Sequence, residues 1–475
     1  MIAKSTKTRD RQRDYGARIS LAVFVVLTEA AFLYFRASEG VAFILAGLLI
    51  TFALLMQLRF GMRPNAAAPA DIVVFIFNWL FLDFAQKLQL ISAPRRLINT
   101  STVSPVQVVM ADLVCALFIG VYTLCYYLLS RRPAPTTRAA LAEERPLSGF
   151  GIALAVVVCA VITVTVAPLT YHMNYTEEAA QDSPLMMVIR NVLVFLPSAT
   201  LLIVLHETVH RGVRWTFSRG ALLVLLFVLV LFTKNTHTDT RFLLGSVYLS
   251  IILVVFDTYF KSQNRRIVLL TLGMVLVFPL SALFTHHLDV TFESILNTIE
   301  SHYFEPHYDS WANIYSAVEM VRRHGPEWGH QLLGTLLFFV PRSLWPTKPV
   351  HTGVFIANYL IANYRMWFTN LSAPLVAEGY IDFGAFGVAL YACLLGMLVS
   401  LLNRVASLNS KWLYMPLATY ISIYLMYASR GPLMAVLAYG LGTCFAFFLA
   451  STMLHIGHRS RYKSPASETQ SLLRQ

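Results

Sequence analysis

The chain has 475 residues, 57% of them hydrophobic and only 13% charged. That is far too apolar for a soluble protein, and the apolar residues recur in runs near twenty residues, the length that crosses a bilayer core. A net charge of +12 resembles a nucleic-acid signal. Most of it lies in short stretches between the apolar runs, where anionic headgroups attract it, so a lipid bilayer is the expected partner and nucleic acid is not.

Twelve spans are read in chain order, at 18–36, 40–58, 71–91, 106–129, 148–168, 186–205, 220–233, 241–259, 266–284, 383–402, 411–428 and 431–455. The seventh is short and is expected to tilt or to thin the bilayer locally. The first follows Lys4, Lys7, Arg9, Arg11, Arg13 and Arg18 and has no small-residue cleavage site. It reads as a signal anchor behind a cytoplasmic N-terminus. Alternating crossings then place the short basic loops inside: Arg59/Arg63, Arg131/Arg132/Arg138/Arg145, Arg211/Arg214/Arg219, Lys261/Arg265/Arg266 and Arg404/Lys411, with the Arg459–Arg474 tail. The resulting division is a tail with nine spans over 1–284, one large external loop over 285–382, three spans over 383–455, and a short, polar, disordered cytoplasmic tail over 456–475. The five cysteines, Cys115, Cys125, Cys159, Cys393 and Cys444, all fall in spans, so no disulfide framework is implied.

Span six runs into His206-Glu207-Thr208-Val209-His210. On a helix this H-E-x-x-H sets two imidazoles one turn apart for zinc, with the Glu as general base. The usual downstream third ligand is absent, Asp257 is the one plausible acidic ligand on that side, and Arg211 and Arg214 oppose a cation. The plainer reading is that these residues cap the span at the cytoplasmic headgroups; a membrane metalloprotease is the alternative.

Two arginines break the positive-inside pattern. Arg241 opens span eight and Arg430 stands in the short turn before span twelve, each at an outer boundary beside a helix N-terminus. A guanidinium next to free backbone N–H groups suits a phosphate or pyrophosphate, although an arginine at a helix end also snorkels to headgroups. The external stretch adds Arg322, Arg323, Arg342, Lys348 and Arg365, with Arg342 and Lys348 in a segment stiffened by Pro341, Pro346 and Pro349. Its Tyr303, Trp311, Trp328, Trp345, Trp367 and Tyr380 offer flat faces that stack on sugars or sit in an interfacial belt. Loops of this length without clear secondary structure are usually functional or disordered, and this one is too aromatic for disorder.

Glu378 directly precedes span ten, with Asp382 four residues on. One of them can remove a proton from a sugar hydroxyl; the plainer reading makes Asp382 a cap and pairs Glu378 with an arginine. His286, His287 and His351 are further candidate bases. Ionisable residues nearest mid-span are few, Glu29, Lys87 and Asp112, where a transporter would concentrate them.

The chain resembles the Wzy-type polymerases of O-antigen and other surface polysaccharides, the oligosaccharide repeat-unit polymerases. The resemblance lies in one large external loop late in a many-span layout, Thr240-Arg241-Phe242-Leu243-Leu244 opening a span, and Val340-Pro341-Arg342 followed by Trp345-Pro346-Thr347-Lys348-Pro349 and Gly353. It continues in Glu378-Gly379-Tyr380 with Phe383-Gly384 and Gly387, and in Ser429-Arg430-Gly431-Pro432-Leu433. It covers roughly the C-terminal half; His206–His210 is outside the family's pattern. It implies an all-α, polytopic membrane fold of the C-type glycosyltransferase kind, working on the periplasmic face of a bacterial inner membrane. It also implies undecaprenyl-pyrophosphate-linked oligosaccharides as substrates, a chain-length regulator as membrane partner, and neither metal nor other cofactor. Under it Arg241 and Arg430 hold the donor pyrophosphate, Arg342, Lys348, Arg365 and His351 hold donor or acceptor, and Glu378 is the base or orients it. An O-antigen ligase shares the architecture and donor, and differs in transferring glycan to lipid A-core.

Overall fold

The computed structural model describes residues 16–36, 40–64, 66–91, 97, 99, 103–131, 147–173, 184–210, 216–235, 239–285, 291–407 and 414–456. Among them the ordered elements are helices and turns. The first half holds α1 (Gly16–Arg36), α2 (Val41–Phe60), α3 (Ala70–Trp79), a π turn (Leu80–Phe84), α4 (Ala85–Ile91), α5 (Pro105–Ser130), α6 (Gly149–Met173) and α7 (Pro184–His210). After these come α8 (Phe217–Thr233), α9 (Arg241–Val255), α10 (Gln263–Leu272), a second π turn (Gly273–Val277) and α11 (Phe278–Thr285). The last third holds α12 (Phe292–His302), a 3₁₀ turn (Pro306–Tyr308), α13 (Ser310–His324), α14 (His330–Leu336), α15 (Thr352–Tyr364), α16 (Leu375–Ser407), α17 (Tyr414–Arg430) and α18 (Leu433–Leu454).

Every one of the twelve apolar stretches read from the sequence carries helix. Eight helical segments are long and apolar enough to cross a membrane: Gly16–Phe35, Val41–Phe60, Pro105–Ser130, Gly149–Val166, Val188–His210, Gln263–Ser281, Leu375–Ser407 and Leu433–Leu454. Phe217–Thr233 and Arg241–Val255 are apolar but shorter. Helices are the form that closes every backbone hydrogen bond internally, which hydrocarbon demands. Their outer faces carry Phe24, Leu27, Phe52, Val106, Leu128, Phe386 and Phe448, all exposed, an arrangement that water would penalise and lipid does not. Inward, α5 packs against α2 and α16, α7 against α18, and α17 against α3 and α9.

The stretch 286–382 departs from expectation. In place of a loop without clear secondary structure, its described part, 291–382, forms α12 to α15 and the start of α16. α13 packs on α5 and α16, with every residue from Ser310 to Met320 buried. Hydropathy reads this helix as polar from its composition, yet most of its polar side chains are paired inside the bundle. Trp311 Nε1 donates to Asp112 Oδ1 at 3.0 Å, Asn313 Nδ2 to Asp309 Oδ2 at 2.9 Å and to the Ser372 carbonyl at 2.8 Å, and Asn99 Nδ2 to Ser316 Oγ at 3.2 Å.

Helix α16 also starts earlier than the expected 383, at Leu375, and bends at Phe383 and Gly384, where Gly384 takes φ 62°. A Cβ on Gly387 would overlap the Gly379 carbonyl oxygen, so the elbow requires glycine there. His286 and His287, Arg211 and Arg214, Lys4 to Arg13 of the N-terminal tail and the basic residues of the C-terminal tail lie outside the described residues.

Candidate functional site

The packing of α9 against α17 brings the start of one helix to the end of the other, and so Arg241 to Arg430. Both face the segment Glu305–Asp309. Arg430 Nε donates to the His307 carbonyl at 3.1 Å, and Nη2 donates to the Pro306 carbonyl at 3.0 Å and to Asp309 Oδ1 at 2.9 Å. Its guanidinium carbon lies 5.2 Å from the centre of the Phe242 ring, a cation–π contact. Asp309 is itself held, its Oδ2 accepting from Asn313 Nδ2 and from the Ser372 amide, each at 2.9 Å.

Arg241 is only partly satisfied. Its Nη1 is buried and has no hydrogen-bond partner among the described residues. An unmet guanidinium donor out of water is costly, and an anion placed there removes that cost.

Two histidines complete the cluster. His302 Nδ1 lies 3.2 Å from Glu305 Oε2 and His307 Nε2 3.8 Å from the same oxygen, with the two rings 5.3 Å apart. His302 is fully buried and its Nε2 has no partner among the described residues. Burial, helped by the charges of Arg241 and Arg430, pushes His307 down to about 4, so it is neutral at pH 7. The hydrogen bond from His302, with the nearby His307 and Arg241, holds Glu305 below the usual carboxylate range. Gln89 on α4 fixes the segment from behind, its Nε2 donating to the Tyr303 carbonyl at 3.0 Å and the Tyr308 carbonyl at 3.3 Å. Tyr308 stacks on Phe81 of the first π turn at 4.9 Å.

Glu378 is tied to this site through the turn that carries Arg430. The Ala373 amide donates to the Arg430 carbonyl at 3.1 Å, and three residues after Arg430 the Leu433 amide donates to Glu378 Oε1 at 2.7 Å. Thr352 donates to Oε2, also at 2.7 Å. With both oxygens engaged and the side chain buried, Glu378 caps the N-terminus of α18 and lacks the open approach a base needs. Asp382 serves the same purpose for α14, accepting from the Leu332 amide at 3.2 Å and from Tyr391 Oη at 2.8 Å. Asp382, the expected cap of span ten, lies inside that helix and caps α14 instead, and Glu378 pairs with a helix end instead of an arginine.

The other expected anion ligands bind their own loop. Arg342 Nη1 and Nη2 donate to the carbonyls of Lys348 and Pro349, at 2.6 and 3.2 Å. Lys348 Nζ donates to those of Phe338 and Val340, at 2.5 and 3.0 Å, and burial lowers its pKa. His351 Nδ1 accepts from the Val354 amide at 3.3 Å and caps α15, while Arg365 ends that helix at φ 56°. Backbone carbonyls of a proline-rich turn are strong acceptors that no residue pattern announces, and they take up these cations.

At the end of α7, Glu207 is paired with Arg219 and accepts from the Leu147 amide. It is therefore not free to act as a base. The His206 and His210 rings lie 4.2 Å apart and His210 Nδ1 is 3.7 Å from Asp257 Oδ2. No group of three His, Cys, Asp or Glu suited to a metal occurs among the described residues.

The mid-span ionisable residues are joined. Lys87 Nζ contacts Glu29 Oε2 at 2.5 Å and also Asp83, which the i,i+4 spacing in the π turn allows. Asp112 accepts from Trp311.

His302, Glu305, His307 and Asp309 were not singled out by sequence. The available signal was three ionisable residues within six positions around Pro306. No family model matches the chain, and neither a curated protein nor a solved structure does. Fold and site define a polytopic helical membrane protein with an arginine pair set against two histidines.

Proposed function

We propose that the chain is a metal-independent glycosyltransferase that joins undecaprenyl-pyrophosphate-linked oligosaccharide repeat units on the periplasmic face of a bacterial inner membrane. In this reading all twelve apolar stretches cross the bilayer, both termini are cytoplasmic, and the Arg241–Arg430 cluster lies at the outer boundary. The observation that carries it is the buried Nη1 of Arg241, which has no partner among the described residues, beside Arg430, where a diphosphate completes the hydrogen bonding.

The acceptor sugar oxygen attacks the anomeric carbon of the donor, and the bond from that carbon to the pyrophosphate oxygen breaks. Undecaprenyl pyrophosphate leaves with the bonding electrons, its charge met by the two guanidiniums. His307, neutral at pH 7, takes the hydroxyl proton. A bound diphosphate favours the imidazolium and raises His307 from its low resting value, towards the range in which a base is effective. Glu378 becomes a positioning residue that fixes the turn carrying Arg430.

The test is a gel of surface polysaccharide from cells lacking the gene, complemented with wild type, Arg241→Ala, His307→Ala or His206→Ala, each checked for its presence in the membrane. The polymerase reading requires single repeat units in the deletion, and long chains restored by wild type and by His206→Ala only. Long chains that persist in the deletion refute it, and loss with His206→Ala alone points to the H-E-x-x-H motif.

A further inference from the structure

At the far end of α13 from Asp309, a cavity of about 360 Å3 opens between the helix end, the Gly325–Glu327 turn and one face of α15. His324, Glu327, Phe355, Asn358 and Tyr359 line it, over a floor that includes Ile381. Its volume lies within the roughly 300–1,000 Å3 of small-molecule sites. The His324 and Tyr359 rings meet edge to face at 6.0 Å. The lining holds no Lys or Arg, so the cavity is not a second phosphate site.

Beside it stands Trp328, 78% exposed and at φ 51°. A bulky side chain adopts that left-handed backbone only when its surroundings impose it. They do: the Glu327 amide donates to the Ile381 carbonyl at 2.8 Å and the Gly329 amide to the Asp382 carbonyl at 3.3 Å. The residues on both sides of Trp328 are thus pinned to the first turns of α16, which fixes the backbone that carries the exposed indole, next in sequence to the lining residue Glu327.

We propose that the cavity and the Trp328 indole form a glycan subsite that binds sugars remote from the pyrophosphate. The inference rests on the polymerase reading and names the part of the substrate that α13 positions. Indole, phenyl and phenol faces stack on the C–H faces of sugar rings, while the carboxylate, imidazole and amide of Glu327, His324 and Asn358 bond hydroxyls. Helix α13 links the subsite to Arg430 through Asp309. The fifteen residues of α13, Ser310–His324, span about 22 Å at 1.5 Å per residue, the reach of a short oligosaccharide and not of one sugar. A backbone held in place before binding reduces the freedom that the indole loses on contact.

The test is calorimetry on the purified full-length protein, with oligosaccharides released by mild acid from the producing cells' own polysaccharide, free of lipid and pyrophosphate. Trp328→Gly removes the indole and relieves the strained backbone, and Phe355→Ala removes a wall of the cavity. Each is expected to weaken binding by about tenfold, the order of one aromatic contact, while Arg241→Ala binds as wild type. Unchanged affinity in both variants, as when Trp328 only anchors in headgroups, overturns the subsite. So do fragments that fail to bind the wild type, or binding that depends on Arg241. The gel on the deletion strain keeps the two proposals apart: long chains without the gene sink the polymerase reading, whereas their loss together with unchanged fragment affinity sinks the subsite alone.

Discussion

Removing the Arg430 guanidinium tests how the site is held. Its hydrogen bonds to the Pro306 and His307 carbonyls and to Asp309 are charge-assisted, a kind that contributes about 1.5–3 kcal/mol when one is deleted. The Arg430 and Asp309 side chains are 16% and 1% exposed, so solvent screens the pair little, and truncation strands a buried carboxylate. Breaking such a pair costs about 3–5 kcal/mol, and the carbonyl bonds overlap with that figure because all three restrain one segment. Arg430→Ala is therefore expected to destabilise the protein by about 3–5 kcal/mol and to speed amide exchange over 303–309. Arg430→Ala combined with Asp309→Asn should lose less than the sum of the single changes, with a coupling of about 1.5–3 kcal/mol. Thermal unfolding in detergent, with hydrogen exchange read by mass spectrometry, measures both. A wild-type melt for Arg430→Ala, or strictly additive losses in the double variant, refutes the assigned geometry.

Three further outcomes follow from the same contacts. Glu378→Gln puts one amide nitrogen against a donor and should cost about 1–2 kcal/mol of stability as a weakened cap, while chain elongation by the folded fraction persists; complete loss of turnover in a stable protein would restore Glu378 as the base. Lys87→Met leaves Glu29 and Asp83 facing each other in a buried setting and should cost about 3–5 kcal/mol, with Glu29→Gln added to it recovering part of the loss, both read by thermal unfolding. Burial holds His307 at about 4, and in the proposed reaction it acts only when unprotonated, so elongation by wild type should fall as pH drops through its ligand-raised value, between about 4 and the ordinary 6.5. His307→Gln should show a low rate without that limb, and an unchanged acid limb in it would assign the titration elsewhere.

The apolar part of the fold was legible because hydrocarbon leaves a chain few choices: each of the twelve stretches is helical, with ends displaced by a few residues. The arginine pair was legible for a related reason. Positive-inside counting isolates Arg241 and Arg430, and their placement at helix ends on one side lets α9 and α17 bring them together. What hid was polarity satisfied indoors. α13 carries Asn313, Ser316 and Glu319 yet is buried from Ser310 to Met320, so its hydropathy reads as a loop. Glu378, Arg342 and Lys348 have the residue types of a site, but their partners are the Leu433 amide and the carbonyls of residues 338 to 349. Backbone groups are available everywhere, so side-chain patterns cannot show which will be used. His302 and His307 gain meaning only when the 3₁₀ turn at Pro306 meets two distant helix ends.

Reconstitution tests the central claim most directly. Purified protein in nanodiscs is mixed with undecaprenyl-pyrophosphate-linked repeat units extracted from the deletion strain, and glycan length and released undecaprenyl pyrophosphate are followed together. The account predicts longer glycans from wild type with one undecaprenyl pyrophosphate freed per bond formed, and a rate lowered by about 10²–10³ in Arg241→Ala, the effect of losing one donor to the developing charge. Wild type that leaves the units unjoined, or Arg241→Ala that joins them at the wild-type rate, contradicts it.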